Sequence, residues 1–338
     1  MGFYLIGIDY KSADLTTRET LYRQRDQIAD FFGQRAMALF TCNRIEIYGE
    51  AIDGHRGWEA IGVFQRRFPG FAGRGYAKWD QEDILRHALR LATGLESQLK
   101  GEREILEQLT IWFPRESKSD LFFRFWKKIT GYSEDIRRRA GLNHGGYNVA
   151  NLIYADIKKN FGYKKELKAV IVGTGKIAEL FTGNREQGVC LSFVAHRNRG
   201  KGEALARRAG GKMLLLRDLP DSLIDTDVVV AATGSQNFVL RKDLFDKVLF
   251  KKDQPLYVYD LAVPRDVDPE AGKLENLVLY NLDDLTLIAG WHNREIKMEL
   301  KLAEYLVEEK VKEGREALRN GAFEDWLASE HACHKAGI

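Results

Sequence analysis

Cys42 stands in a polar corner, Phe40-Thr41-Cys42-Asn43-Arg44-Ile45-Glu46-Ile47-Tyr48, that places a thiol two residues from a guanidinium. A free thiol titrates near about 8.5, and a fixed neighbouring cation stabilises the thiolate. Arg44 cannot lose its charge. The pattern therefore offers a nucleophile, with Arg44 either activating it or holding an anionic substrate. The competing reading is a buried cysteine acting as a small hydrophobe. Thr41, Asn43 and Arg44 argue against burial, but these residues alone leave both readings open.

A second group of residues points to a dinucleotide. Lys168–Val172 reads as a short apolar strand running into Gly173-Thr174-Gly175-Lys176-Ile177-Ala178 and then a helix. This is G-x-G-x-x-A in its strand–turn–helix setting. The first glycine makes the turn, the second lets the backbone approach a pyrophosphate, and the small third position lets helix and strand pack closely. The helix N-terminus adds the positive end of its dipole. The next strand, Leu191–Ala195, ends in His196-Arg197-Asn198-Arg199, with Lys201 beyond. A site selective for NAD puts a carboxylate there for the ribose 2′-hydroxyl. Cations suit a 2′-phosphate instead, so Arg197, Asn198 and Arg199 are expected to hold NADPH. Strand Asp227–Ala232 ends in Thr233-Gly234-Ser235, and Leu256–Val263 ends near Pro264-Arg265-Asp266. Both ends fall where open parallel sheets hold ligands.

Other candidates are weaker on their own. His87 lies in a helix, Asp80–Thr93, among apolar neighbours and reads first as a core histidine. The run Leu95 to Gln108 could present Ser97, Glu102 and Gln108 to a cleft, or be a solvated helix face. Ile111 to Arg139 interleaves Phe122, Phe123, Phe125 and Trp126 with basic residues. That fits RNA contact, but a helix with a buried aromatic face and a basic outer one accounts for it as well. The tail His331-Ala332-Cys333-His334 lacks a second ligand pair, and no metal site is expected.

The elements that must position these groups come from 338 residues, enough for two or three domains with real cores. Phe3–Ile8 is a strand, a polar helix with Arg18 and Glu19 follows, two strands flank Cys42, and His55–Phe68 is an amphipathic helix ended by Pro69-Gly70. This order predicts a small antiparallel α+β sheet of the split βαβ kind. After a glycine-rich break, Gly141 to Gly146, the strand–helix alternation is that of a Rossmann domain. Leu285 to Arg319 reads as one long charged helix whose stripe, Ile296, Leu300, Ala303, Val307 and Val311, must pack on something. The expected class is α/β in three parts: a catalytic domain 1–145, an NADP-binding domain 146–282, and a long helix with a short tail, 283–338. Basic residues number 52 against 49 acidic, too even a balance to declare a nucleic-acid binder. Three cysteines are too few and too odd for a disulfide framework, and no apolar span is long enough for a membrane helix. The expected compartment is the cytoplasm.

Taken together, the motifs resemble glutamyl-tRNA reductase. The likeness rests on Gly7-Ile8-Asp9-Tyr10-Lys11-Ser12-Ala13, Arg18-Glu19, Thr41-Cys42-Asn43-Arg44-Ile45-Glu46, His87, Gly94-Leu95-Glu96-Ser97 and Gly101-Glu102. It continues through the glycine fingerprint, Asp260-Leu261-Ala262-Val263-Pro264-Arg265-Asp266, and Asp283-Asp284-Leu285. The resemblance implies that Cys42 attacks the ester joining glutamate to the tRNA 3′ end, giving a thioester that NADPH reduces to glutamate-1-semialdehyde, the first step of the five-carbon route to tetrapyrroles. It implies that Thr41, Arg44, Ser97, Glu102 and Gln108 bind the glutamyl moiety and that His87 matters for activity. Asn43, Arg103 and Glu104 are counted with the substrate side. The chain departs from the family at Tyr10, usually histidine, at Asp14, usually proline, and at Arg103-Glu104, usually Pro-Gln. The likeness ends with the long helix, short of the family's C-terminal helical domain, so a short form is expected. Implied partners are glutamyl-tRNA, the downstream semialdehyde aminomutase, and a second copy joined through the long helix. Two other readings stay open: a reductase of another activated acyl donor, and a non-catalytic NADP-binding relative.

Overall fold

The computed structural model describes residues 2–32, 36–51, 56–116, 119–143, 148–162, 164–184, 186–195 and 198–329. The chain divides into two bodies, Met1–Tyr147 with Gly290–Ile338, and Asn148–Ala289. The expected third part is thereby split, and its long helix belongs to the first body.

The first body opens with β1 (Gly2–Asp9), α1 (Leu15–Arg23), α2 (Arg25–Phe32), β2 (Ala36–Phe40), β3 (Arg44–Ala51), α3 (Arg56–Arg67) and β4 (Tyr76–Lys78). The strands lie in the order β2-β3-β1-β4, every neighbour antiparallel, which is two interleaved split βαβ units. The sequence reading anticipated the first three strands; β4 is only three residues long, too short for an alternation to show. Both faces of the sheet are covered. Phe3 and Leu5 of β1 join one apolar cluster, Tyr4, Ile6 and Ile8 the other, so β1 reads as an unbroken apolar run. Leu21, Ile28, Phe64 and Phe68 close the second face.

The first face is covered by α4 (Gln81–Thr93), α5 (Glu104–Glu116) and α6 (Asp120–Arg139). Asp80 caps α4 by accepting from the Asp83 amide at 3.0 Å, and Gly94 ends it at φ 88°. On α6, Phe122, Phe125 and Trp126 are buried while Phe123 is exposed and the last turn is basic, so three of the four aromatics are core.

In the second body α7 (Val149–Phe161) precedes a parallel sheet of β5 (Leu167–Val172), β6 (Val189–Val194), β7 (Lys212–Leu214), β8 (Val228–Ala231), β9 (Leu256–Asp260) and β10 (Leu277–Tyr280). The order is β10-β9-β8-β5-β6-β7, with crossover helices α8 (Lys176–Gly183), α9 (Arg199–Ala209), α10 (Leu219–Ile224) and α11 (Lys242–Leu249). The order reverses between β5 and β8, which is the switch point of a doubly wound dinucleotide fold.

The segment expected as one helix forms α12 (Leu285–Glu295) and α13 (Lys297–Arg319), interrupted at Ile296, and α14 (Phe323–Ala328) follows. Ile296, Ala303, Val307 and Val311 are buried in the cluster that also holds α4 and α6. The stripe thus packs within its own chain, leaving Met298, Leu302 and Tyr305 exposed. No helix among the described residues is long and apolar enough to cross a membrane.

Candidate active site

Cys42 occupies the turn between β2 and β3. Thr41 braces that turn: its amide donates to the Arg44 carbonyl at 2.9 Å, and its hydroxyl oxygen accepts from the amides of Asn43 at 3.2 Å and Arg44 at 3.1 Å. The Tyr10 amide donates to the Asn43 carbonyl at 3.0 Å, tying the end of β1 to the same corner. Cys42 is exposed, as its polar neighbours suggested. The protein surrounding its sulfur nevertheless desolvates the anion, and with the nearby Glu102 pushes the thiol up to about 11; Arg18 and Arg44 pull the other way and lose. Arg44 therefore does not turn the resting thiol into a thiolate. Beside the thiol, Asn43 Oδ1 is buried and finds no hydrogen-bond partner among the described residues.

Arg44 is committed elsewhere. Arg44, Glu46 and Tyr48 share one face of β3, and Glu46 is fully buried. Its Oε1 accepts from Arg44 Nη1 at 2.8 Å and Tyr76 Oη at 2.5 Å and lies 2.8 Å from His87 Nε2; Oε2 accepts from Tyr48 Oη at 2.7 Å. Burial pushes this carboxyl up, but His87, Arg44 and the hydrogen bonds outweigh it and hold Glu46 well below the usual carboxylate range. Gly7 makes the arrangement possible. It pairs with Glu46 on one side and Tyr76 on the other, and a Cβ there would come within 2.5 Å of the Tyr76 ring. His87 is thus oriented by a buried carboxylate rather than satisfied by the apolar core.

The run after α4 is an ordered loop as far as Arg103 and becomes helix α5 from Glu104, so Ser97 and Glu102 lie on the loop and Gln108 on the helix. Arg137 of α6, 1% exposed, donates to the carbonyls of Thr93 at 2.8 Å, Gly101 at 2.9 Å, Glu102 at 2.8 Å and Leu142 at 3.1 Å. Arg44 Nη2 donates to the Glu96 carbonyl at 2.7 Å and Tyr10 Oη to that of Ser97 at 3.4 Å, which brings the loop to the Cys42 corner. Ser97 is buried and its hydroxyl serves the Glu102 carboxyl, which burial and the charge of Glu104 push up to about 7. Arg103 points its guanidinium at Glu134, 2.6 Å away on the surface, and Glu104 accepts from the Arg103 amide at 3.0 Å. Gln108 is exposed on α5. The corner and loop therefore gather Thr41, Cys42, Asn43, Arg44, Ser97 and Glu102.

In the second body the glycine fingerprint makes the turn it implies. Gly173 sits at φ 119°, and a Cβ there would lie 2.4 Å from the Ala232 carbonyl oxygen, so β5 and β8 approach closely at the switch point. Nothing occupies the space a Cβ on Gly175 would fill, at the N-terminus of α8, and Ala178 is buried against the sheet. Lys176 and Ile177 open that helix, with Thr174 in the turn before it. These features fit a pyrophosphate. Asn198 caps α9 by accepting from the Lys201 amide at 3.0 Å, and Arg199 meets Glu203 at 3.0 Å. His196 and Arg197, like the tail 331–338, lie outside the described residues. The Thr233 amide donates to Asp266 at 2.6 Å and its hydroxyl to the same carboxylate, fixing the Thr233-Gly234 turn at the end of β8. No group of acids, histidines and cysteines among the described residues could hold a metal.

In the sequence Glu46 has no role of its own, Tyr76 and Arg90 give no signal, and Arg137 reads as one of a basic outer run on α6, whereas it is buried. Glu46 was within reach: Arg44, Glu46 and Tyr48 alternate with Ile45 and Ile47, so on a strand covered on both faces the polar set must satisfy itself.

A family model described as "Glutamyl-tRNAGlu reductase, N-terminal domain" matches residues 6–126, and one described as "Shikimate / quinate 5-dehydrogenase" matches residues 156–288. Relatives named glutamyl-tRNA reductase include that of Carboxydothermus hydrogenoformans, 27% identical over 98% of this chain and 75% of the relative. Those of Bacillus subtilis (28%, covering 97% and 74%) and Pseudomonas aeruginosa PAO1 (29%, covering 97% and 81%) are similar. With the cysteine corner in the first matched segment and the glycine turn in the second, the chain is similar over nearly its whole length to glutamyl-tRNA reductases.

Proposed function

We propose that this chain reduces glutamyl-tRNA to glutamate-1-semialdehyde with NADPH, through a thioester on Cys42. The observation that carries the reading is an exposed thiol in a braced turn, beside a fixed loop bearing Ser97 and Glu102. Sγ attacks the ester carbonyl; the S–C bond forms, the ester C–O bond breaks, and the thiol proton passes to the departing ribose hydroxyl. A thiol at about 11 needs a base as it attacks. Glu102, at about 7, is the carboxyl suited to relay that proton. Asn43 Oδ1, a buried acceptor lacking a partner among the described residues, suits the glutamyl ammonium. His87, held by Glu46, positions rather than attacks. The glycine turn at Gly173–Gly175 would hold NADPH, whose chemistry is to supply a hydride; with that hydride added to the thioester carbonyl carbon, the C–S bond would break to leave the aldehyde and the Cys42 sulfur would regain a proton. The cations Arg199 and Lys201 after β6, with Arg197 in the sequence, support the 2′-phosphate over NAD. The aldehyde is then a substrate for the aminomutase that the resemblance implies as partner, and the thiols of Cys42 and Cys190, neither held in a disulfide, suit the cytoplasm.

The test follows NADPH absorbance on adding glutamyl-tRNA. Consumption by the wild type and none by Cys42→Ser is expected. Turnover of other acyl donors but not of glutamyl-tRNA, or full activity of the serine variant, would overturn the reading.

A further inference from the structure

The loop beside the Cys42 corner gathers more positive charge than it neutralises. Glu96 pairs with Lys11 at 2.5 Å and Arg90 at 2.6 Å, and Arg90 also lies 3.5 Å from Glu304. Lys100 adds a third cation. Its ammonium donates to the Leu95 carbonyl and pairs with no carboxylate among the described residues. Burial, with the charges of Lys11 and Arg90, brings it down to about 8. The carboxylate whose charge reaches it, Glu96, is already shared by Lys11 and Arg90; a partly buried ammonium so weakly compensated is costly, and a further anion would relieve it. The cations adjoin the reacting corner: Lys11 follows Tyr10, which bonds to Asn43 and Ser97, and Arg44 holds the Glu96 carbonyl. Lys11 remains 47% exposed and is able to swing from Glu96 to a ligand.

On the reading above, the ester sits on the terminal nucleoside of an RNA, one ribose from the next backbone phosphate. We propose that Lys11, Arg90 and Lys100 form the subsite for that phosphate. Its oxygens would take charge-assisted hydrogen bonds from Lys11 and Lys100, while Glu96 keeps Arg90 aimed across the loop. The contact positions the acceptor end and carries no sequence information.

The experiment compares kcat/KM on glutamyl-tRNA and on 3′-O-glutamyl-adenosine, which has no phosphate, across salt from about 50 to 200 mM. Lys11→Ala and Lys100→Met should each lose about 3- to 10-fold on the RNA and lower its salt slope by about 1, leaving glutamyl-adenosine unchanged. Lys11→Arg should retain both. Equal loss on both substrates, or an unchanged salt slope, overturns the subsite. Binding of a deacylated acceptor-stem minihelix to the full chain separates this proposal from the reductase reading. Weaker binding by the two variants, with unchanged melting temperature, supports the subsite even where no reduction is seen; affinity equal to the wild type overturns it.

Discussion

Glu46→Gln keeps the shape of the side chain at the centre of the buried network and removes its charge. The amide oxygen can still face Arg44, Tyr76 and His87, and Tyr48 can turn its hydroxyl to accept from the new amine. What is lost is the counter-charge for Arg44, whose side chain is only 3% exposed. Breaking a buried pair by removing one partner costs about 3–5 kcal/mol. For a body of about 200 residues each kcal/mol moves the midpoint by about 2–4 °C, so the variant should melt about 6–20 °C lower. The Tyr48 ring meets Trp126 edge-on with centroids 4.8 Å apart, which makes near-ultraviolet dichroism a local probe of the same melt. A midpoint within about 2 °C of the wild type would refute the argument that the charge of Glu46 holds this network together.

Three further outcomes follow from the same geometry. Alkylation of Cys42 by iodoacetamide should rise toward pH 11 rather than level off near 9, and Glu102→Gln should shift the curve to lower pH; a wild-type midpoint near about 8.5 would count against the desolvated thiol. Lys11 and Arg90 overcome burial and bring Glu96 down to about 2, so its stabilisation is complete above the unfolded value of about 4.3 and is lost as pH falls toward 2. Urea melts at decreasing pH should show Glu96→Gln to be less acid-sensitive than the wild type, and identical slopes would dismiss the pairing. Gly173→Ala places a Cβ 2.4 Å from a carbonyl oxygen at a left-handed φ, and NADPH fluorescence titration should show binding lost; wild-type affinity would contradict the close approach of β5 and β8.

The parts of this molecule written locally were legible in its sequence. The turn at Gly173–Gly175, the cap at Gly94 and the apolar faces of β1 and α13 each depend on a few adjacent residues or on one periodicity. Parts that depend on distant partners were not. β4 exists because β1 offers it an edge, and three residues carry no pattern of their own. The interruption at Ile296 lies inside a continuous helical periodicity and only packing reveals it. Arg44 looked like an activator because Cys42 is two residues away, whereas Glu46, equally close on the other side and on the same strand face, takes its charge. Arg137 sits in a basic run that reads as solvated, yet four carbonyls converge on it.

That convergence has a cost-sharing effect on recognition. A nine-residue excursion from Gly94 to Glu102 would ordinarily have to freeze each time a substrate arrives, surrendering affinity to conformational entropy. Here the Arg137 guanidinium at the ends of the loop, with Arg44 and Tyr10 at its middle, meets that cost during folding, before any ligand is present. Lysine has a single nitrogen and cannot span the same carbonyls, so even a charge-preserving replacement should leave a jaw that must be re-ordered at every encounter.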